Sequence, residues 1–245
     1  MNQEGQHTFR AHGTRLLSLF LLAATFLIAS LSLPGTGRST TTVDLVLVLA
    51  LDASHSVDDR EFELQRDGLA NAFRHPSVVD AIQRGRHRRI GVAVMQWAGE
   101  AEQALSVPWT AIASPSQADA FAARIAQLRR RFFDGSTHIA GAIQVANHLT
   151  QTAPFAAARR VVDISGDGIN TVGNSPQGAR DAALRTGLTI NGLAITNETY
   201  DLAEYYRISV IGGPNAFVIQ ADDYDDYARA ILEKLLREIT PRLVM

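Results

Sequence analysis

The sequence predicts a doubly wound α/β domain, in which helices cover both faces of a mainly parallel sheet. Segments such as Val43–Leu51 and Ile90–Trp97 are rich in aliphatic and β-branched residues, as strands buried on both faces are. Segments with helical periodicity separate these strands, and strands joined through helices pair in parallel. The composition, 46% hydrophobic and 20% charged over 245 residues, is that of a globular protein and excludes collagen-like or disordered chains.

The first half of the pattern runs strand, helix, strand, edge strand, helix. Val43–Leu51 is the first buried strand, and Asp58–Phe73 follows as a helix with its apolar residues on one face and acids in its first turn. Ile90–Trp97 is the next strand. Ala104–Pro108 is predicted as a short edge strand that ends at its proline, which cannot donate to a ladder. Ser114–Leu128 is a helix because a serine cap precedes a proline at its first position.

The second half alternates in the same way and closes with an amphipathic helix. Its predicted elements, in order, are His138–Leu149, Arg160–Ser165, Pro176–Arg185, Leu188–Ile195, Leu202–Ile208, Ala216–Ile219 and Asp222–Glu238. The last carries aromatic and aliphatic residues on one stripe, which is typical of a helix packed on a core. No repeat and no linker composition interrupts the pattern, so residues 39–245 are predicted to form one domain.

Residues 1–38 are predicted to be a signal peptide or an N-terminal membrane anchor. Arg10 and Arg15 precede an uncharged apolar run, Leu16–Leu33, and Pro34 with neighbouring glycines then ends the run. The run is long enough to span a bilayer, and no Ala-x-Ala motif marks a cleavage site. Both alternatives place the rest of the chain outside the cytoplasm, in the periplasm or beyond, and a retained segment would tether it to the inner membrane.

Composition and missing motifs exclude several functions. The net charge of −2 argues against nucleic acid as a partner. The absence of cysteine removes disulfides, zinc–thiolate sites and thiol nucleophiles together. The sequence has no Gly-x-Ser-x-Gly elbow, phosphate-binding glycine loop or His-Glu-x-x-His helix, so the common hydrolase and nucleotide-binding signatures are missing.

Acids and hydroxyls follow the predicted strands, at the edge of the sheet where ligands bind in such folds. Asp52, Ser54 and Ser56 come after the first strand, and alternate residues of an extended segment project to the same side. Asp167 lies between two glycines after another strand, and Thr137 immediately precedes a predicted helix. An all-oxygen ligand set suits Mg²⁺, Mn²⁺ or Ca²⁺ better than zinc or copper. The segment after the first strand also suits a simple helix cap.

An Asp-x-Ser-x-Ser segment, a distant threonine and a later Asp-Gly resemble the metal-ion-dependent adhesion site of von Willebrand factor type A domains. The resemblance covers about residues 43–240 and implies that Mg²⁺, or alternatively Mn²⁺ or Ca²⁺, is held by Asp52, Ser54, Ser56, Thr137 and Asp167. Further segments, such as Ile164–Gly168, resemble an exported bacterial subgroup whose role is uncharacterised. The chain departs from the family at Gly166, where many members carry threonine.

The predicted function is divalent-cation-dependent protein binding outside the cytoplasm, without catalysis. The resemblance implies that a partner protein presents an aspartate or glutamate to the cation. Two alternatives stay open. The chain could be a metal-assisted hydrolase with His55 or His138 as the base, or a structural module whose ion only stabilises the fold.

Overall fold

The computed structural model describes residues 40–133, 135–197 and 199–240. The predicted signal or anchor segment lies outside the described residues. The strands are β1 Thr41–Val43, β2 Val46–Asp52, β3 Ile90–Trp97, β4 Gln103–Ile112, β5 Phe155–Ala157, β6 Arg160–Gly166, β7 Thr189–Ile195 and β8 Val218–Ala221. The helices are α1 Asp59–Arg74, α2 Pro76–Gln83, α3 Pro115–Ile125, α4 Ile139–Gln151, α5 Pro176–Leu184, α6 Leu202–Tyr205 and α7 Tyr227–Ile239, and a π-helical turn, Tyr206–Val210, continues α6. Across the described part of the chain, no helix has the length and apolar character that crossing a membrane requires.

A six-stranded sheet in the order β4-β3-β2-β6-β7-β8 forms the centre of the fold. All neighbours pair in parallel except the edge strand β4, which is antiparallel to β3. The short strands β1 and β5 pair separately. Because the chain moves from β2 to one side and later returns through β6 on the other, strand order switches between β2 and β6. This confirms the doubly wound, mainly parallel architecture that the sequence predicts.

The alternation of side chains in β2 connects the sheet to a core on each face. Leu47, Leu49 and Leu51 pack in one cluster with residues of α1, α2, α3 and α7. Val48 and Ala50 pack in the other cluster, with residues of α4, α5 and α6. The strand is therefore buried on both sides, which explains its continuous aliphatic sequence.

Several predicted boundaries are wrong, each for a local reason. The edge strand β4 does not end at Pro108 but continues to Ile112, because its register with β3 shifts at this point. The closing helix begins at Tyr227 rather than Asp222, since Asp223 and Asp226 accept backbone N–H bonds within this acidic segment. The sequence pattern also misses α2, where the His75 side chain accepts a hydrogen bond from the Ser77 N–H.

Candidate metal centre

The candidate site lies at the carboxyl ends of the two central strands. Asp52 is the last residue of β2, and Asp167 follows β6 directly. The two strands are hydrogen-bonded neighbours, with Leu51 opposite Ser165. The site thus occupies the point where strand order switches, which is the usual ligand position in open α/β sheets.

A chain of hydrogen bonds joins four of the predicted ligands. The Ser54 N–H donates to Asp52 Oδ1 at 2.8 Å, and the hydroxyl oxygens of Ser54 and Ser56 are 3.3 Å apart. The Ser56 hydroxyl donates to Asp167 Oδ1 at 2.8 Å. Asp52, Ser54 and Asp167 are almost completely buried. Residues far apart in sequence therefore form one buried group of carboxylates and hydroxyls.

Thr137 reaches the same edge from the loop before α4. Its N–H donates to Thr171 Oγ1 at 3.0 Å, and its carbonyl accepts the Thr171 N–H at 2.8 Å. A Cβ added at Gly168 would lie 3.6 Å from Thr137 Oγ1, so the threonine hydroxyl is beside the residue that follows Asp167. The loop before α4 also contacts the loop between β2 and α1, because the His55 N–H donates to the Gly135 carbonyl at 2.8 Å.

The two acids of the site have raised pKa values, because burial disfavours their charged forms. Burial raises the pKa of Asp52 to about 8, and the charge of Asp167 contributes in the same direction. Burial also raises the pKa of Asp167, against hydrogen bonds from Ser56 and Tyr224 that lower it. Asp52 Oδ2 is buried without a hydrogen-bond partner. Such a pair favours a bound proton or a bound cation over two free negative charges.

The basic side chain that enters this region does not neutralise the pair. The Arg130 guanidinium donates to the Ser54 backbone carbonyl at 2.8 Å and lies 3.5 Å from Asp59 Oδ1. In residues 40–133, 135–197 and 199–240, no three His, Cys, Asp or Glu side chains come together as a metal-binding group. A cation held here would therefore need hydroxyls as ligands beside the two carboxylates.

The residues present fit a hard divalent cation. Two carboxylates and the hydroxyls of Ser54, Ser56 and Thr137 are all oxygen donors, and the unpartnered Asp52 Oδ2 is a buried acceptor that a cation would satisfy. Oxygen-only sets of this kind are typical of Mg²⁺, which also keeps water in its coordination shell.

The two histidines considered as bases have different surroundings. His55 is exposed, and its Nδ1 lies 3.4 Å from the Phe133 carbonyl oxygen. The ring of His138 packs against Gly141 and Gly173, and its Nδ1 is buried without a partner. Neither histidine forms a hydrogen bond with Asp52 or Asp167 among the described residues.

Three side chains belong to the site that the sequence pattern did not assign to it. The Tyr224 hydroxyl donates to Asp167 Oδ2 at 3.0 Å, and Gln65 Nε2 donates to the Asp52 carbonyl at 3.1 Å. The Tyr206 hydroxyl is buried near Asp52. Tyr224 was expected on the apolar stripe of the last helix. Its place inside an acidic run is the one sequence signal that could have set it apart.

Solved structures with the same fold include matrix and adhesion proteins. Proximal thread matrix protein 1 from the mussel byssus is 15% identical with a TM-score of 0.58, over 80% of this chain and 48% of that one. One structure of it is described as having a zinc-occupied MIDAS motif. The pilus adhesin SpaC from Lactobacillus rhamnosus GG is 15% identical with a TM-score of 0.56. The match covers 82% of this chain and 31% of the adhesin. A von Willebrand factor type A protein from Catenulispora acidiphila is 15% identical with a TM-score of 0.55, over 81% and 43%.

These likenesses establish the fold. The matched region spans less than half of each of these three chains. No curated protein matches the chain in a sequence comparison. Residues 42–243 match the family described as "Protein of unknown function (DUF1194)". The chain belongs to this family, and its domain has the von Willebrand factor type A fold.

Proposed function

We propose that this chain is a divalent-cation-dependent protein-binding module that acts outside the cytoplasm and has no catalytic activity. The observation that carries the proposal is the largely buried group of Asp52, Ser54, Ser56 and Asp167. Among the described residues its two acids have no basic partner, and Asp52 Oδ2 has no hydrogen bond. The adhesin and matrix proteins that share the fold support a binding role.

Each residue of the site has a defined task in this proposal. Asp52 and Asp167 supply negative charge, and Ser54, Ser56 and Thr137 supply neutral oxygen ligands. Tyr224 fixes the orientation of the Asp167 carboxylate, and Gln65 holds the backbone of Asp52 through its carbonyl. A divalent cation, Mg²⁺ in our proposal, supplies when bound the missing positive charge and a coordination position for an aspartate or glutamate of a partner.

The surface around the site favours a protein partner over a small ligand. Phe133 is 54% exposed, and the Arg130 guanidinium lies 5.2 Å from its ring centre. Ile169, next to Gly168 in the loop after Asp167, is 44% exposed. Large apolar side chains exposed beside a polar site are typical of protein interfaces. We therefore propose that the partner carries an apolar residue close to its acid.

Export is part of the proposal and rests on the basic and apolar pattern of residues 10–33. Separate assays of the periplasmic and membrane fractions, followed by sequencing of the mature N-terminus, test it. A full-length chain recovered from the cytoplasm would contradict export. The same experiment distinguishes a cleaved signal from a retained anchor.

Partner capture from an envelope extract tests the function itself. We expect the wild-type chain to retain a partner in Mg²⁺ and to release it on chelation, while Asp52→Asn and Thr137→Val retain none. Asp181→Asn removes an exposed acid on α5 and serves as the matched control, with retention unchanged. Retention of the partner by Asp52→Asn, or in the presence of chelator, would contradict the proposal. A melting temperature that falls on chelation without any partner release would favour the structural-ion alternative.

A further inference from the structure

Tyr206 is a buried tyrosine with an unusual position. It is the first residue of the π-helical turn Tyr206–Val210, on the face of the sheet opposite α7. Its side chain is completely buried, and its hydroxyl has no hydrogen-bond partner. Single π-helical turns within helices occur often at functional sites. The adjacent Tyr205 hydroxyl accepts the N–H of Asn170, in the loop that follows Asp167.

The Tyr206 ring packs against two glycines on neighbouring strands. A Cβ at Gly192, inside β7, would lie 2.6 Å from Tyr206 Cδ1. A Cβ at Gly166, the last residue of β6, would lie 2.8 Å from the Tyr206 hydroxyl oxygen and 2.7 Å from Asp52 Oδ2. Any other residue at either position would displace the ring. The glycine at position 166 therefore leaves room for a phenol beside the acid.

The same small space thus contains two buried polar atoms that lack partners. Asp52 Oδ2 is an acceptor and the Tyr206 hydroxyl is a donor, so the two groups are complementary. The two oxygens lie within about 5.5 Å of each other, because both would touch one Cβ at residue 166, and a single water can bridge such a gap. Buried polar groups are rarely left unsatisfied in folded proteins.

We propose that Tyr206 is a positioning residue of the metal centre: its hydroxyl donates to Asp52 Oδ2, directly or through one water, and so fixes the orientation of that carboxylate. This inference rests on the proposed function of the same site. Residues that hold a metal-binding carboxylate in place are typically responsible for a 10- to 100-fold change in metal affinity.

The test is a Mg²⁺ titration of the full chain together with thermal unfolding of the metal-free protein. Tyr206→Phe keeps the ring and removes the hydroxyl. We expect its Mg²⁺ dissociation constant to rise at least about 10-fold. We also expect its metal-free melting temperature to fall by only a few degrees, because at most one hydrogen bond is lost and the ring still fills its space. A tyrosine with only a packing role would leave the dissociation constant unchanged.

Two further variants complete the test. Tyr227→Phe removes another buried hydroxyl that lacks a partner, on the opposite face of the sheet, and should leave the dissociation constant unchanged. Gly166→Ala places a methyl group against both oxygens and should weaken Mg²⁺ binding as Tyr206→Phe does. If wild type binds Mg²⁺ and Tyr206→Phe binds it equally well, the inference is wrong while the proposed function survives. If wild type binds no Mg²⁺, both are wrong.

Discussion

Two pairs of buried acids lie in or beside the sheet in the described part of the chain, and one of them has a basic side chain between its members. At the carboxyl ends of β2 and β6, Asp52 and Asp167 are joined through serine hydroxyls. In the middle of β6, Asp163 shares Lys234, the only lysine of the chain, with Glu238 of α7. Among the described residues, one pair thus has a lysine between its acids, and the other has no basic side chain.

In the second pair, a buried lysine lies between the two acids. Lys234 Nζ lies 3.0 Å from Asp163 Oδ2 and 2.7 Å from Glu238 Oε1, with all three side chains buried. Asn191 also donates to Glu238 Oε1 at 2.8 Å. Burial raises the pKa of Asp163 to about 7, although Lys234 lowers it. The group connects α7 to the sheet, which is a structural role.

The largest effect is expected from removing the lysine. Lys234→Met leaves Asp163 and Glu238 buried without their cation, and should lower the free energy of unfolding by about 3–5 kcal/mol. Urea unfolding measures this. Added Mg²⁺ should not restore the loss.

The matched control lies on the same helix. Arg229 pairs with Asp226 and Glu233 but is 54% exposed, so Arg229→Met should change stability by less than about 1 kcal/mol. A loss below 1 kcal/mol in Lys234→Met would show that the lysine does not neutralise the second pair.

Metal addition should have the next largest effect, through the first pair alone. At a Mg²⁺ concentration 100 times the dissociation constant, the wild type should gain about 2.7 kcal/mol in free energy of unfolding. Asp52→Asn should gain nothing. Thermal unfolding with and without chelator measures both, and equal gains in the two proteins would place the binding elsewhere.

The pH dependence of the metal-free protein separates the pairs further. The pKa of Asp52 is raised in the folded state, so its stabilising contribution is complete below about pH 4 and is lost as the pH rises through about 8. From pH 6 to 8 the wild type should therefore lose roughly 2 kcal/mol more than Asp52→Asn. Saturating Mg²⁺ should abolish this difference. Asp163 titrates in the same direction, through about pH 7, and its loss should persist in Mg²⁺.

The smallest effect concerns the exposed apolar residues around the first pair. Phe133→Ser and Ile169→Ser should each weaken partner binding about 10-fold, or about 1.4 kcal/mol, since both side chains are exposed before binding. Their Mg²⁺ affinity should equal that of wild type. Leu105→Ser, an exposed apolar residue on the edge strand β4, is the control and should bind partner normally. Unchanged partner binding by both variants would exclude these residues from the interface.

How far the sequence predicts this molecule depends on whether a feature is local. The bounds of β3 follow directly from its aliphatic run. Strand β5 has only three residues and exists because β1 pairs with it, a contact that no local pattern carries. The π-helical turn at Tyr206 has no periodicity that distinguishes it from an ordinary helix end. These features depend on tertiary packing.

The same distinction applies to the site. Asp52, Ser54 and Ser56 follow a buried strand at alternate positions, so their grouping is readable from spacing. Thr137 and Asp167 were candidates because they lie at a helix start and a strand end, and the family resemblance grouped them with the first three. The role of the Tyr206 hydroxyl could not be foreseen, because a buried tyrosine in a sequence pattern looks like any other aromatic core residue. Tyr224 differs only in its place inside an acidic run.

The most direct test counts bound divalent cations per chain by equilibrium dialysis in Mg²⁺. We expect one cation in the wild type, one in Asp163→Asn and none in Asp52→Asn, because only the pair at the carboxyl ends of the sheet lacks an internal cation. No bound cation in the wild type, or an undiminished one in Asp52→Asn, would contradict the account.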